Sequence, residues 1–171
     1  MIHLNIGSNL ESKYGSKFDN ISIAINLLIE SKIKIYRISN FYETPSYPNK
    51  NFPPFINIGL TIDYNDTHFN LLNKTKLIEK KLGRIRTKKN DPRIIDIDII
   101  DFNSKISEDN KLILPHPKCH LRNFVLFPIL QIDPNWSHPI LKKNARFLIN
   151  KLSQKLRIEI TRLQKNVNVQ A

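Results

Sequence analysis

Residues 94–102 carry the sequence IIDIDIIDF. The length of this stretch and its β-branched isoleucines predict a strand. Because successive side chains of a strand point to opposite faces, Asp96 and Asp98 share one face. The other face is apolar and can fill a core with Ile95, Ile97 and Ile99. Asp101 has the opposite parity and lies near the strand end, which predicts a surface or turn residue.

The segments on the N-terminal side of this strand alternate between strand and helix patterns. Residues 17–31 and 68–82 place apolar side chains at the spacing of amphipathic helices. Gly83 is expected to end the second helix. With predicted strands at residues 2–6, 33–42, 55–63 and 94–102, the order of the elements along the chain is βαββαβ. This is the order of a ferredoxin-like core, so we predict an α+β fold with a mainly antiparallel sheet and helices packed on it.

Loops and shorter elements complete the predicted organisation. Residues 43–54 are rich in proline and are predicted to form a long loop, and residues 84–93 form a basic one. The predicted downstream elements are a hairpin of 105–107 and 111–114, a partly helical stretch 120–131, a helix 144–155 and a last strand 157–162. Residues 1–162 are predicted to form a single domain, and residues 163–171 a disordered tail.

The composition is that of an ordinary globular domain. The chain has 171 residues, of which 40% are hydrophobic and 25% charged, enough for a hydrophobic core. Neither a signal-peptide pattern nor an apolar run of about 18 residues is present, so we expect a cytoplasmic protein without a membrane partner. The net charge of +12 indicates an anionic partner, unless it only reflects a general bias towards Lys, Ile and Asn.

Asp96 and Asp98 are the first candidate functional residues. Two ionised carboxylates on an otherwise apolar strand are costly unless a partner compensates their charge. Mg²⁺ prefers carboxylate and phosphate oxygens, so the pair predicts a metal site. The alternative is a solvent-facing strand with two ordinary aspartates.

The basic loop before this strand is the second candidate. Five cations lie within ten residues: Arg84, Arg86, Lys88, Lys89 and Arg93. Phosphoryl transfer needs cations where charge develops on phosphate oxygens, and arginine binds phosphate with a planar fork. The alternatives are a solvated basic loop and a nucleic-acid patch.

The histidines and the cysteine are weaker candidates for functional residues than the aspartates and arginines. His116 stands between two prolines, which restrict its backbone, and it can donate to a phosphate. His3, His68, His120 and His138 show no ligand-like spacing in the sequence. Cys119 is the single cysteine of the chain, which excludes an intramolecular disulfide and a cysteine-based zinc cluster. The sequence contains no P-loop motif and no Gly-x-Gly-x-x-Gly motif.

Taken together, the motifs resemble the 6-hydroxymethyl-7,8-dihydropterin pyrophosphokinase family. The matching stretches occur in the family's order and at about its spacing. They are IGSNL (6–10), SNFYETP (39–45), FIN (55–57), LGRIR (82–86), PRIIDID (92–98), and PH (115–116) with RNFVL (122–126). They span roughly residues 2–134, and the PRIIDID block that follows LGRIR is the most specific.

The resemblance implies a reaction and a set of residues. The family transfers diphosphate from ATP to the hydroxymethyl group of the pterin, giving AMP and the pterin diphosphate, a step of folate biosynthesis. ATP is the co-substrate, and two Mg²⁺ ions are expected on Asp96 and Asp98. Arg84 and Arg93 are implied to join these aspartates as catalytic residues. Further ATP contacts are implied at Glu79, Arg86, Ile99, Lys111, His116 and Arg122.

The residues expected to bind the pterin are implied by the same resemblance. Phe55 and Phe124 are implied to sandwich the flat ring, since aromatic faces stack with an offset. Asn57 offers both a donor and an acceptor to the ring's amide-like edge. The backbone at Thr44, Pro45 and Ser46 is implied to complete this recognition.

The sequence departs from the family in its loops. Pro117 stands where the family often has Tyr, and Asn90 and Asp91 stand where some members have Trp. The basic loop is about one residue shorter, and the loop 45–54 lacks the usual Gly. These changes bear on loop closure and rate more than on binding.

Three alternatives remain open at this stage. A nucleic-acid-binding ferredoxin-like module would place aromatic residues on exposed strands beside the cations, whereas this strand carries Ile and Asp. A metal-dependent nuclease or another phosphotransferase could use the same aspartates. The chain could also be a slow or inactive family member. We expect a stand-alone monomer that binds ATP and the pterin, but not nucleic acid.

Overall fold

A computed structural model describes residues 1–85, 91–165 and 167. Its elements follow the predicted order over the first two thirds of the chain. They are β1 (Ile2–Ser8), α1 (Lys17–Glu30), β2 (Lys34–Ile38), β3 (Tyr42–Thr44), β4 (Phe55–Asp63), α2 (His68–Lys81), β5 (Asp96–Phe102), β6 (Ser107–Asp109), β7 (Leu112–Leu114), α3 (Asn123–Ile132), α4 (Ala145–Lys151), α5 (Gln154–Ile158) and β8 (Thr161–Arg162). A 3₁₀ turn, Cys119–Leu121, precedes α3.

The main sheet is antiparallel, with β1 between β4 and β5. Its order is β5-β1-β4-β3-β8, and β2 also pairs with β4. β2 and β3 replace the single strand predicted at 33–42. The ladder is interrupted at Ser39, whose hydroxyl accepts the Gly59 amide at 2.9 Å. The predicted α+β class and its βαββαβ order are confirmed, because the paired strands and the two intervening helices have this arrangement.

The two faces of the sheet differ in chemistry. One face forms the main core with α1 and α2, and its sheet residues include Ile2, Leu4, Ile6, Ile58, Leu60, Ile97 and Ile99. The alternate positions of β1, and those of β4 from Asn57 onwards, are small or polar: His3, Asn5, Gly7, Asn57, Gly59 and Thr61. We call this second side the polar face; Asp96 and Asp98 belong to it by strand alternation.

Part of the polar face is covered by a second apolar cluster, which α3 and α4 form with Ile100 and Trp136. Gly59 allows α3 to approach the sheet, since a Cβ on Gly59 would lie 2.7 Å from Pro128 Cβ. The remainder of the polar face, at the end of the sheet that carries Asp96, is where the candidate site lies.

Asp101 is buried, so the prediction that it is a surface or turn residue is wrong. The pairing of β1 with β5 shifts register, so that Leu4 faces Ile99 and His3 faces Asp101. This bulge turns Asp101 inward. It is 1% exposed, and it accepts a hydrogen bond from Trp136 Nε1 at 2.8 Å. A bulge adds one residue to one strand, so strict alternation in the sequence cannot reveal it.

The C-terminal region differs from the prediction in its elements. The helix predicted at 144–155 is divided into α4 and α5, because Leu152 is extended and the Ser153 side chain caps a new helix at Leu156 N. The last strand, predicted at 157–162, is therefore reduced to β8. The hairpin predicted at 105–107 and 111–114 lies at β6 and β7.

Residues beyond β8 bear on the predicted tail. Leu163 donates its amide to Phe41 O at 2.8 Å, and Leu163 and Val167 pack against the main core. Residues 166 and 168–171 lie outside the described residues. The domain boundary at 162 and the disordered tail stay predictions.

In the part of the chain that the structure describes, no helix combines the length and apolar character needed to cross a membrane.

Candidate active site

Register places the key side chains of the site in one row across the sheet. Gly7 of β1 pairs with Asp96 of β5 on one side and with Asn57 of β4 on the other. Directly paired residues of an antiparallel sheet share a face. The metal candidate Asp96 and the pterin candidate Asn57 therefore flank a glycine, and the Asn57 side chain fills the space that a side chain on Gly7 would need.

Asp96 is held between two arginines. Arg84 Nη1 lies 2.6 Å from Asp96 Oδ1, and Arg93 Nη2 lies 2.6 Å from Asp96 Oδ2. The Asp96 side chain is 17% exposed, so the two ion pairs are partly shielded from water. Three of the four predicted catalytic residues are thus in direct contact, and both carboxylate oxygens face a cation.

Glu79 joins this group from helix α2. Its carboxylate is buried, accepts the Ile97 amide at 2.8 Å and also forms an ion pair with Arg84. Burial raises the pKa of Glu79, although the Ile97 amide and Arg84 oppose that shift. The structure therefore places the predicted ATP residue Glu79 behind Arg84, where it orients the guanidinium.

Asp98 lies one step along the same face and has a weaker partner. Arg122 Nη1 is 3.5 Å from Asp98 Oδ2, and both side chains are 30% exposed. Burial, followed by the neighbouring Asp96 carboxylate, raises the pKa of Asp98 to about 7. Without a bound cation, the ionised form of Asp98 is therefore poorly compensated.

This imbalance predicts a stability effect in the ligand-free protein. A carboxyl whose pKa is raised in the folded state destabilises the fold as pH rises from its ordinary pKa towards about 7. Asp98→Asn removes that penalty. We expect it to stabilise the protein at pH 8 by about 2 kcal/mol, half the value implied by the shift because the site is partly solvated. Denaturant melts of both proteins without Mg²⁺ or nucleotide measure this difference.

The gain should shrink as pH is lowered and disappear below the ordinary pKa of 3.8, where Asp98 is protonated in both the folded and the unfolded state. Asp109→Asn on the exposed β6–β7 hairpin is the matched control, because its oxygen still accepts the Lys111 amide. An Asp98→Asn variant that is less stable than the unmodified chain at pH 8 would contradict the account.

His116 and Arg122 approach the carboxylates from the segment after β7. The His116 amide donates to Ile100 O at 2.8 Å, which places His116 beside β5. Burial, with a contribution from Arg122, lowers the pKa of His116 to about 4, so the ring is neutral at pH 7. His116 Nδ1 accepts the Lys118 amide at 3.2 Å, and the ring proton is therefore assigned to Nε2.

The pterin candidates lie on β3, β4 and the loop between them. Thr44 pairs with Phe55 in the ladder, and Asn57 Nδ2 donates to Thr44 Oγ1 at 3.2 Å. The Arg93 guanidinium lies 4.9 Å from the centre of the Phe55 ring. The predicted pterin and phosphate residues therefore meet at Arg93.

The other pterin candidates border the same region. Ser46 is buried, and Pro45 is half-buried. Phe124 is the second residue of α3 and lies under Arg122, with the guanidinium 5.4 Å from the ring centre. Arg122 therefore links Phe124 to Asp98, as Arg93 links Phe55 to Asp96.

Some predicted residues are not brought into this group. The Ile99 side chain is buried in the main core, on the side of the sheet opposite Asp96 and Asp98. Lys111 is exposed at the turn of the β6–β7 hairpin, where its amide donates to Asp109. Arg86, Lys88 and Lys89 lie outside the described residues.

Two structural features were missed from the sequence. Asn9 is 1% exposed and joins Arg93 to the loop that follows β3. Cys119, His120 and His138 place ligand atoms within 4.8 Å of one another, although their sequence spacing suggested nothing. In that group His138 Nδ1 accepts hydrogen bonds from two backbone amides, those of Ile140 and Leu141. The His138 ring is therefore held by the loop that follows it.

The donor set on the polar face fits Mg²⁺. Asp96 and Asp98 offer carboxylate oxygens, the ligands that this ion prefers. Their charge, with that of Glu79, is met by Arg84, Arg93 and Arg122. Phosphate groups that drew these arginines away would leave the carboxylates with the negative charge needed to hold a metal.

Fold and site together define an α+β protein whose antiparallel sheet presents paired carboxylates and arginine forks on one face. The chain belongs to the 7,8-dihydro-6-hydroxymethylpterin-pyrophosphokinase (HPPK) family, whose sequence model matches residues 3–134. The resemblance noted in the sequence motifs is confirmed by this match.

Similar proteins from other organisms support the assignment to this family. A 2-amino-4-hydroxy-6-hydroxymethyldihydropteridine pyrophosphokinase of Aquifex aeolicus is 35% identical over 142 residues, covering 83% of this chain and 86% of that protein. The folic acid synthesis protein fol1 of Schizosaccharomyces pombe is 34% identical over 91% of this chain, but the chain spans only 21% of its length.

Solved structures agree on the fold. The crystal structure of wild-type Plasmodium falciparum HPPK-DHPS superposes with a TM-score of 0.68 over 94% of this chain and 47% of that chain, at 16% identity. A likeness at this level of identity bears on the fold alone.

Proposed function

We propose that this chain transfers diphosphate from ATP to 6-hydroxymethyl-7,8-dihydropterin, giving AMP and the pterin diphosphate, a step of folate biosynthesis. The observation that carries the proposal is Arg93, which pairs with Asp96 and lies over Phe55. One side chain thus contacts both the candidate metal ligand and the candidate pterin-stacking ring. Family membership and relatives named as pyrophosphokinases support the same activity.

The phosphate side of the proposed site uses the carboxylates and arginines. Asp96 and Asp98 would hold Mg²⁺, with two ions expected from the family. Bound Mg²⁺ would neutralise phosphate charge and favour substitution at phosphorus. Arg84, Arg93 and Arg122 would bind phosphate oxygens, and the neutral His116 would donate from Nε2. Arg86 and Lys111 stay predicted ATP contacts.

The proposed chemistry is one substitution at the β-phosphorus. The hydroxymethyl oxygen of the pterin forms a bond to that phosphorus, and the bond from it to the oxygen shared with the α-phosphate breaks. AMP leaves with that oxygen, and the hydroxyl proton passes to solvent. None of the described side chains in the group is an obvious base, so positioning and charge neutralisation provide most of the rate.

The pterin side relies on shape and hydrogen bonds. Phe55 and Phe124 each lie under an arginine that is also paired with a carboxylate. A flat ring that enters between them would meet Asn57, whose Nδ2 is held by Thr44. The Asn57 carbonyl and the backbone near Ser46 would then bind the polar edge of the ring.

Gly7→Ala tests this arrangement. A Cβ on Gly7 would lie 2.9 Å from Asn57 Oδ1 and 3.6 Å from Phe55 Cδ1, so Asn57 must move. We expect at least roughly tenfold weaker pterin binding with little loss of stability, because one hydrogen-bond geometry is lost. Quenching of pterin fluorescence measures the affinity.

Gly59→Ala is the matched control for Gly7→Ala. Its Cβ would meet Pro128 of helix α3, away from Asn57, so we expect it to reduce stability and leave the pterin affinity of the folded fraction unchanged. Equal pterin affinity in Gly7→Ala and the unmodified chain would refute the role given to Asn57.

The proposed activity is tested by separating the nucleotide products. The purified protein is mixed with ATP, Mg²⁺ and 6-hydroxymethyl-7,8-dihydropterin, and AMP and ADP are followed by chromatography. We expect AMP that requires both the pterin and Mg²⁺. ADP in place of AMP would indicate a different phosphotransferase, and AMP without pterin would indicate hydrolysis of ATP.

Other properties stay predictions alongside this function. A cytoplasmic location, a monomeric state and the absence of a nucleic-acid partner are expected from the sequence. Salt-dependent filter binding with DNA and RNA checks the last of these.

A further inference from the structure

We infer that Asn9 is a positioning residue that couples the two halves of the site, by holding the Arg93 peptide and the loop 46–53 with one side chain. The inference rests on the proposed function, since the two halves are the phosphate side and the pterin side. Asn9 follows β1 and is 1% exposed.

Asn9 clamps the backbone of Arg93 from two directions. Its amide donates to Arg93 O at 3.1 Å, and its side-chain Oδ1 accepts the Arg93 amide at 2.7 Å. Both backbone polar groups of Arg93 are therefore bound to a single residue. The position of the Arg93 peptide in turn limits where its guanidinium can lie between Asp96 and Phe55.

The other end of the Asn9 side chain holds the pterin-side loop. Nδ2 donates to Ser46 Oγ at 3.2 Å and to Pro53 O at 3.1 Å. Ser46 Oγ itself donates to Pro53 O at 2.6 Å, so the two ends of the loop are closed against Asn9. Both Nδ2 protons and Oδ1 are used, and a side chain of another type cannot satisfy the three partners at once.

The consequence is mechanical linkage between the two binding regions. A displacement of loop 46–53 must move Asn9 or break its bonds, and a displacement of Asn9 shifts the Arg93 peptide. A shift of about 1 Å in a positioning group lowers a rate by roughly 10²-fold. Asn9 is therefore expected to affect turnover through Arg93 without touching either substrate.

Asn20 provides a matched control. It is also a fully buried asparagine, and it bonds nearby backbone and hydroxyl groups: Nδ2 donates to Leu10 O at 2.9 Å, and Oδ1 accepts from Ser12 Oγ at 2.5 Å. It contacts neither Arg93 nor Ser46 through these bonds. Asn20→Ala thus removes an amide of the same size and burial from the same region.

The experiment compares Asn9→Ala, Asn9→Asp and Asn20→Ala in steady-state kinetics with ATP, Mg²⁺ and the pterin. We expect Asn9→Ala to lower kcat by roughly 10²-fold. Asn9→Asp keeps the acceptor for the Arg93 amide but loses the donors to the loop. It should therefore raise KM for the pterin by about tenfold and recover most of kcat. Asn20→Ala should keep both constants in its folded fraction.

Hydrogen exchange of the same proteins without substrates gives an independent measurement. Asn9→Ala should speed exchange at the Arg93 amide and in residues 46–53, whereas Asn9→Asp should speed it in residues 46–53 alone. If the unmodified chain forms no AMP, the proposed function fails, and the linkage is judged by this exchange pattern. If the chain is active but Asn9→Ala and Asn20→Ala have equal kcat, or if Asn9→Asp exchanges like Asn9→Ala, the inference about Asn9 is overturned.

Discussion

Asp96→Ala is expected to reduce turnover at least roughly 10³-fold, to background, while the protein stays folded. The variant loses a proposed Mg²⁺ ligand, and it also loses the carboxylate that holds Arg84 and Arg93 at 2.6 Å each. Arg93 would then lack its carboxylate partner, and Arg84 would keep only Glu79. The measurement is AMP formation at saturating ATP and pterin, with circular dichroism as the check on folding.

Asp101→Asn is the control for Asp96→Ala on the same strand. Asp101 is buried, but it is bonded to Trp136 and Ser104 on the covered part of the sheet, and asparagine keeps its size. We expect the folded fraction of Asp101→Asn to turn over at the normal rate. Near-normal turnover in Asp96→Ala would exclude the carboxylate pair as the centre of the chemistry.

Arg93→Ala is expected to lower kcat by about 10³-fold, the scale of a removed arginine that stabilises phosphoryl transfer. Arg93 combines an ion pair to Asp96 with a stacked position over Phe55. Arg93→Lys should restore little, because an ammonium group cannot reproduce a planar fork that also stacks on an aromatic ring. Single-turnover kinetics separates this loss from slower product release.

Arg37→Ala is the matched control for Arg93→Ala. Arg37 is an exposed arginine of β2, and its guanidinium donates to Ile132 O at 2.7 Å, remote from the carboxylates. Its loss should leave kcat unchanged at temperatures where the variant is folded. An Arg93→Lys variant with full activity would show that only a positive charge is needed at this position.

The sequence could predict β1, β4 and the first part of β5 because side chains of the two faces alternate strictly there. Ile97 and Ile99 face the main core while Asp96 and Asp98 face the arginines, as the spacing of IIDIDIIDF requires. The helices α1 and α2 were also predictable, since each has an apolar stripe at helical spacing. Local rules suffice where backbone and side-chain preferences agree.

The misplaced elements each depend on a contact that the local pattern does not contain. Asp101 is buried because a bulge turns it towards Trp136, which lies 35 residues further along the chain. The predicted C-terminal helix is divided because Ser153 caps a new helix instead of continuing the old one. Single-residue events of this kind change which side chains are buried without changing the hydrophobic pattern.

The residue types of the site could be predicted from the sequence, but the hydrogen bonds and ion pairs that connect them could not. Paired aspartates and neighbouring arginines indicated phosphate chemistry, and the family motifs added Phe55, Asn57 and Phe124. The burial of Glu79 behind Arg84 and the bonds of Asn9 to residues 37, 44 and 84 positions away follow only from the folded chain. Asn9 could be noticed in the sequence only as part of IGSNL, with no role attached.

The most direct test of diphosphate transfer uses ATP labelled at either the β- or the γ-phosphorus, followed by isolation of the pterin product. We expect both labels in the pterin product and neither in AMP, because the β-phosphorus is the atom attacked and the γ-phosphate travels with it. Label in the pterin from the γ-position alone, with ADP as the nucleotide product, would contradict the account. It would assign the carboxylate and arginine face to a single-phosphate transfer.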